Sequence, residues 1–591
     1  MNPGGRSADD TLVNAGLLLI VAVAGLAGLL RLTGSVAARV TGADDPSGSW
    51  AGGLSVLTKP TDPAGALGAI GLSAWTYWLT LIILLTMGVL LAWAGWRLFD
   101  GARHRARLDP SRLSGTATRR DVRATASRHA LLKRGRTLRP SLPSPTASDV
   151  GYLLGHAHGK EVWASVEDSI LLLGPPRSGK GLHIVINAIL DAPGAVITTS
   201  TRPDNISATI DARRARGPVA VFDPQRLAQS MHAGLRWSPV RGCEDPLTAM
   251  IRATGLASAT GLSSGGVESG GFWEGKTRTA LQALLHAAAL DNRAPAELFA
   301  WTLNPAAAAD AVTILSSHTG AAPGWAESLE AMISTDPRTR DSIWMGVSLA
   351  LSSLADPRVL ETVTPRTGEH FEPEQFLRDN GTLYLLATGS GAGASWPLVA
   401  AFIEDLAETA RHLAAASPGA RLDPPLLLAL DEIGNLSPLP SLPTLMAEGG
   451  GTGITTLPVL QSLSQARDKW GDHAAGAIWD ASIVKIVLGG ASSAKDLQDL
   501  SALIGERDEL TDSISIGDYG SRSVQRSTRR VSILPPERIR TLPFGTALVL
   551  LRSTAPLITQ LRPWTTRHDV QPSTRPRRSS SWRRPRGSTR T

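Results

Sequence analysis

At 591 residues the chain is too long for one hydrophobic core, so two or three domains are expected. Its composition, 42% hydrophobic and 19% charged, is ordinary for a folded protein, and a lone cysteine, Cys243, excludes a disulfide framework and a thiolate metal cluster. The net charge of +7, carried by 51 arginines and 8 lysines, favours polyanions or membrane surfaces as partners.

The first element in chain order is apolar. Leu12 to Leu30 holds no charge and one strongly polar side chain, Asn14. At 1.5 Å per residue its length just crosses a hydrocarbon core of about 30 Å. A cleaved signal peptide is disfavoured, because Asp9 and Asp10 flank the only early arginine, Arg6. The second element is uncharged from Pro63 to Trp96, with Trp75, Tyr77 and Trp78 at one end and Trp93 and Trp96 at the other. Apolar filling between aromatic belts predicts a spanning helix. Spans are therefore expected at about 12–31 and 74–96, within an anchor at 1–100. Between them the charges balance, whereas from Arg97 to Arg139 thirteen Lys/Arg face three Asp. The positive-inside rule then places everything after Arg97, and both termini, in the cytoplasm of a plasma (inner) membrane protein. Residues 101–149 are expected to be a basic juxtamembrane linker, with Pro140 to Asp149 a linker by composition.

The stretch ILLLGPPRSGKGLHIVINAIL, from Ile170 to Leu190, supplies a strand, a turn and a helix. Gly174, Pro175, Pro176, Arg177, Ser178, Gly179, Lys180 and Gly181 fit G-x-x-x-x-G-K in the context that makes this pattern a phosphate-binding loop. Glycines let successive N–H groups point at a phosphate, the helix N-terminus adds positive potential, and Lys180 reaches the β- and γ-phosphates. The Ser/Thr that ordinarily places a hydroxyl on Mg²⁺ is replaced by Gly181.

Apolar runs ending at Thr201–Asp204 and at Asp223 predict a parallel α/β sheet with ligands at the strand C-termini. From 246 to 369 the chain is Ala- and Leu-rich with helical spacing, a mostly helical insertion. Its aromatics Phe272, Trp273, Trp325 and Trp344 are expected to pack between helices rather than stack on bases. The sheet resumes at Thr382, and Leu426–Leu430 runs into Asp431-Glu432. One carboxylate, Asp431, is suited to hold Mg²⁺ directly or through water; the other, Glu432, is suited to orient or deprotonate the attacking water. A further strand is expected to present Gln461 beside the nucleotide, where an amide aligns water. The tail from His568 carries seven arginines and one aspartate and reads as disordered.

The two N-terminal spans, GPPRSGKG at 174–181, LLLALDEIGNL at 426–436 and GGGTGITTLPVLQSLSQARDKWG at 449–471 together resemble type IV coupling proteins of the TraG/TraD kind. RWSPVRGCEDP at 236–246 resembles the actinobacterial branch. The resemblance extends to about Trp564. It implies a RecA-like P-loop NTPase domain at 150–245 and 370–567 with a mostly α-helical inserted domain at 246–369, while the basic tail, 568–591, is read from composition alone. It implies a membrane ATPase using ATP and Mg²⁺, working as a homo-hexamer around DNA with sites at subunit interfaces. DNA bound without sequence specificity, a relaxase or secreted protein substrate, and a type IV secretion channel are the implied partners. Lys180, Asp431, Glu432 and Gln461 match the family positions. Gly449-Gly450-Gly451 stand where the family often has an arginine, which leaves Arg467 and Arg507 as candidate trans arginines. Two other readings stay open: a nucleotide-gated substrate receptor with little hydrolysis, and an FtsK-like DNA pump.

Overall fold

The computed structural model describes residues 8–47, 49–108, 113–228, 234–263, 269–369, 371–388, 394–436, 438–516, 522–567 and 569. They form two compact units, 1–109 and 110–591.

The first unit is built on two long helices, Ala8–Thr41 and Ala74–Leu108. Within them Leu19–Thr41 and Ala74–Arg97 have the length and apolar character to cross a membrane, with mean hydropathies of 1.9 and 2.1. The first stretch runs past the expected end at 31 and includes Arg31, whose guanidinium donates to the Pro46 carbonyl within the same unit. Leu19, Ile20, Ile82, Ile83, Leu90 and Leu91 are exposed along these helices, the surface that lipid would cover. The connection folds back: Val56, Leu67, Ala69 and Leu72 pack against Ala37 and Tyr77, and the Tyr77 hydroxyl donates to the Leu30 carbonyl at 2.9 Å.

The second unit is an α/β body. Its strands are β1 (Gly151–Ala157), β2 (Lys160–Ser165), β3 (Ile170–Leu173), β4 (Val196–Ser200), β5 (Val219–Phe222), β6 (Thr382–Leu386), β7 (Leu426–Leu430), β8 (Ile454–Leu460), β9 (Val484–Leu488), β10 (Glu506–Ile516), β11 (Arg522–Ser532), β12 (Thr546–Leu551) and β13 (Leu557–Leu561). Eleven of them form one sheet in the order β2-β1-β13-β12-β9-β3-β8-β7-β4-β6-β5. From β9 to β5 every pair is parallel, whereas β12, β13, β1 and β2 extend the sheet antiparallel. β3, β7 and β8 are buried along their whole length. This is why they read as continuous apolar runs rather than alternating ones.

Between β5 and β6 lie eight α-helices among the described residues. Three begin with the same pair: Asp245-Pro246, Asp336-Pro337 and Asp356-Pro357. The aspartate accepts from an N–H of the first turn while proline occupies a position whose N–H would be unpaired. The helices share one hydrophobic core with a face of the sheet, through Trp237, Leu256, Leu284 and Phe402. At the closest approach Gly255 lies so near the Ala401 backbone that a Cβ would sit 2.7 Å from its Cα.

The region anticipated as a linker is folded from residue 113 onward. Short helices at Arg119–Thr125, Arg128–Leu132 and Gly135–Leu138 bury Val122, Leu131 and Leu138 in the core of the β1–β3 side. Arginine-rich composition masked this apolar spacing. Arg139 forms a buried ion pair with Asp423, and the Ser141 N–H donates to the same carboxylate at 2.8 Å. The pair β10–β11 forms a separate two-stranded sheet that the apolar pattern did not announce. The basic tail, residue 569 apart, lies outside the described residues.

Arg213 is wholly buried on the helix Asp204–Arg214 and donates to Thr382 Oγ1 (2.7 Å), Ala192 O (2.8 Å) and Gly194 O (2.6 Å). Burial brings its guanidinium down to about 10, so it stays charged at neutral pH. Arg213→Leu strands three acceptors and is expected to cost about 3 kcal/mol. A urea midpoint unchanged at pH 7 would contradict this.

Candidate nucleotide site

The phosphate loop leaves β3 at Gly174, whose N–H donates to Leu460 O of β8 at 3.0 Å. It returns into a π-type turn, Gly181–Val185, that continues as the helix Ile186–Asp191. Gly179 takes φ +87° and Arg177 takes +63°, the left-handed backbone that turns successive amides to one side. The amides of Arg177, Gly179 and Lys180 donate to no backbone carbonyl, and the buried Ser178 hydroxyl has no partner. Donors left free in a concave loop at a helix N-terminus fit an anion such as a phosphate chain.

Parallel pairing brings the other groups to the same edge. Leu173 of β3 is level with Leu460 of β8, and Leu430 of β7 with Pro458 of β8. Gly174, Gln461 and Asp431 therefore leave neighbouring strands together, with the Gln461 strand between the other two. Lys180 Nζ lies 3.3 Å from Glu432 Oε1, and both side chains are largely buried. Asp431 is held by Asn205, whose Nδ2 donates to Oδ2 at 3.2 Å, while Thr199 Oγ1 donates to the Asp431 carbonyl at 2.8 Å. Burial, reinforced by the adjacent Glu432 carboxylate, pushes the Asp431 carboxyl up to about 6. Glu432 has φ +56°, a strained conformation that aims its side chain back at Lys180.

An amide relay extends from Glu432. Asn435 Nδ2 donates to Glu432 Oε2, and Asn435 Oδ1 accepts from Gln461 Nε2 (3.1 Å) and Gln465 Nε2 (2.7 Å). Gln465 Oε1 in turn accepts the Gln461 N–H at 2.8 Å. Gly434 is needed for this contact, since a Cβ there would meet Gln465 Oε1 at 2.4 Å. Asn205, Asn435 and Gln465 were not singled out from the sequence; only the DEIGN run, which contains Asn435, hinted at one of them.

The cleft over the loop has a volume of about 340 Å³. Arg177, Ser178, Gly179, Lys180 and Gly181 line it with Asp431 and Glu432, whereas Gly174, Pro175, Pro176 and Gln461 do not. Arg467 pairs with Asp496 at 3.1 Å and Arg507 with Glu509 at 3.5 Å, and neither lines the cleft. Among the described residues no cluster of three His, Cys, Asp or Glu is present. Mg²⁺ asks for less, one or two carboxylates together with substrate phosphates, and Asp431 is a carboxylate in the cleft that could serve. Cys243 is buried and its thiol is pushed up to about 12 by burial, which removes it as a nucleophile. Of the four singled-out aromatics, Trp344 is buried and Trp273 and Trp325 pack against the core; Phe272 is exposed.

The fold and the loop define a RecA-like P-loop NTPase fold, and comparison with solved structures agrees. The conjugative coupling protein TrwBdeltaN70, unbound, aligns with 74% of this chain and 93% of its own at 18% identity, with a TM-score of 0.51. TrwB in complex with ADP and Mg²⁺ aligns with 74% and 94% at 17% identity, with a TM-score of 0.52. Residues 425–544 match the family described as the TraM recognition site of TraD and TraG. Over residues 425–544 the chain is similar to the TraD and TraG coupling proteins. No curated protein sequence matches it.

Because the Asp431 carboxyl titrates higher in the folded protein than in the unfolded chain, it favours folding below the unfolded value of 3.8 and loses that contribution as pH rises through about 6. At pH 8 Asp431→Asn is expected to stabilise the ligand-free protein by on the order of 2 kcal/mol, a figure reduced for the group's partial exposure. The gain should vanish by pH 4, and a pH-independent difference in unfolding midpoint would refute it.

Proposed function

We propose that this protein is a membrane-anchored ATPase that drives DNA, with its relaxase or another protein substrate, into a type IV secretion channel. One observation carries the reading: Lys180, Asp431, Glu432 and the Asn435–Gln461 relay converge at the C-terminal edge of a parallel sheet. They do so in a chain whose residues 425–544 match TraD and TraG. TrwB, crystallised with ADP and Mg²⁺, has the same fold, which supports ATP and Mg²⁺ as the ligands here.

The residues divide the work. The free amides of the loop and Lys180 take the phosphate charge, so the Lys180–Glu432 pair loosens as the lysine turns to the new anion. Glu432 then accepts a proton from the attacking water, its carboxylate oriented by Asn435 and, through it, Gln461. Asp431, assisted by Asn205, would hold Mg²⁺, which would offset the charge of the phosphates. The hydroxyl that would share this task is absent at Gly181.

The two apolar helices support a double-spanning anchor in the inner membrane, with both termini cytoplasmic by the charge of the 97–139 segment. A homo-hexameric ring is the assembly this reading implies. In it a transition-state arginine would come from a neighbouring subunit, and Arg467 and Arg507 remain the candidates. A nucleotide-gated receptor is the second reading, favoured by Gly181 and by the closed Lys180–Glu432 pair.

DNA-stimulated ATPase activity of the full chain in detergent separates the two. Lys180→Ala and Glu432→Gln are each expected to lower turnover at least about 100-fold. Wild-type protein that binds ATP but never turns it over, with or without DNA, would establish the receptor instead. A Cβ at Gly181 meets nothing within 4 Å, so Gly181→Ser fits. It is expected to lower the Mg²⁺ concentration giving half-maximal turnover several-fold; an unchanged requirement would show that Asp431 alone sets it.

A further inference from the structure

The groups that recognise a triphosphate in this cleft leave the flat, apolar part of a nucleotide unaccounted for. One side chain at the cleft has the chemistry for it. Trp564, half-buried and close to the end of the described residues, lines the cleft with Gly181, Leu182 and Ile186 at the start of the loop helix. We infer that Trp564 is a base-stacking residue, its indole forming a platform for the nucleobase of a nucleotide whose phosphates occupy the loop. The inference rests on the nucleotide-binding reading above and deepens it.

The way the segment is held supports the assignment. After β13 the chain runs along one face of the loop helix, where Asn187 and Asp191 stand one turn apart. Asn187 Nδ2 donates to the Arg562 carbonyl at 2.7 Å. The Asp191 carboxylate, mostly buried, receives Arg562 Nη2 at 3.2 Å and Arg567 Nη1 at 2.6 Å. Arg567 is itself almost wholly buried, its side chain 4% exposed. Trp564 lies between these two arginines in sequence, so it is fixed at both sides to the helix whose first turn meets the phosphates. A tryptophan fixed in this way loses little conformational freedom when a ring stacks on it. Every base has a π-face, so a stacking platform is tolerant of base identity.

The test measures Mg²⁺-dependent binding by calorimetry on the full chain in detergent, with ATP, GTP and inorganic tripolyphosphate as separate probes. Wild-type protein is expected to bind both nucleotides within about threefold of each other and tripolyphosphate about tenfold more weakly. Trp564→Ala should weaken both nucleotides about tenfold and leave tripolyphosphate unchanged, while Trp564→Phe keeps most of the nucleotide affinity. Unchanged tripolyphosphate binding also reports that the loop in the variant is folded. If Trp564→Ala leaves nucleotide affinity intact, or weakens all three probes equally, the stacking assignment is overturned and the loop reading stands. Wild-type protein that binds none of the three overturns the loop reading, and the stacking assignment with it.

Discussion

The site depends on an ion pair between residues 252 positions apart, Lys180 of the phosphate loop and Glu432 at the end of β7. Neither residue selects the other locally. They meet because β3, β8 and β7 lie side by side in parallel with Leu173, Leu460, Leu430 and Pro458 in register. A one-residue slip of β7 against β8 would move Asp431 and Glu432 to opposite faces. The complete burial of these strands makes such a slip costly, since it would also rearrange a close-packed core. The chemistry is thus secured by sheet register rather than by contacts within the site.

Much of this was legible because buried parallel strands write themselves as unbroken apolar runs. Ile170–Leu173, Leu426–Leu430 and Ile454–Leu460 each end in a change of chemistry that marks where ligands gather. What escaped notice was either polar or distant in sequence. β10 and β11 expose both faces over much of their length, so alternating Arg, Ser and Thr carried no burial signal. Residues 113–150 hid an apolar spacing among arginines, most of them exposed, whose charge dominates the composition. Asn205, Asn435 and Gln465 act only through partners that the fold brings to them, and single polar residues announce nothing of the kind. The aromatics that attracted attention in the helical insertion mostly pack, as buried Trp344 does, donating to the Trp301 carbonyl at 3.2 Å.

The local geometry is unfavourable at several points, and the surrounding fold maintains it. Arg177 and Glu432 hold left-handed backbone without being glycine, and Asp431 sits where its charge is poorly solvated. Each such feature costs on the order of 1–3 kcal/mol. Thr199 of β4 and Asn205 of the helix Asp204–Arg214 fasten Asp431, and Asn435 fastens Glu432 from its own turn. These supports keep both carboxylates aimed into the cleft rather than relaxed into solvent. Preorganised charge of this kind lowers the reorganisation needed when phosphate charge builds.

Gly181 changes how that burden is shared. With a hydroxyl at this position, a loop residue and a β7 carboxylate would hold the cation from two sides. Without it, on the proposed reading, the protein's hold on the metal would rest on Asp431, the carboxylate that burial makes reluctant to ionise. Ionisation and cation binding then become strongly linked, because the metal's charge is what relieves the desolvated carboxylate. An empty site is therefore left with its lysine paired to Glu432 and its aspartate poised near neutrality. On the proposed reading, phosphates would draw Lys180 from Glu432 and their cation would relieve Asp431. A site built on this linkage would oppose partial occupancy, phosphate and metal each binding better with the other present.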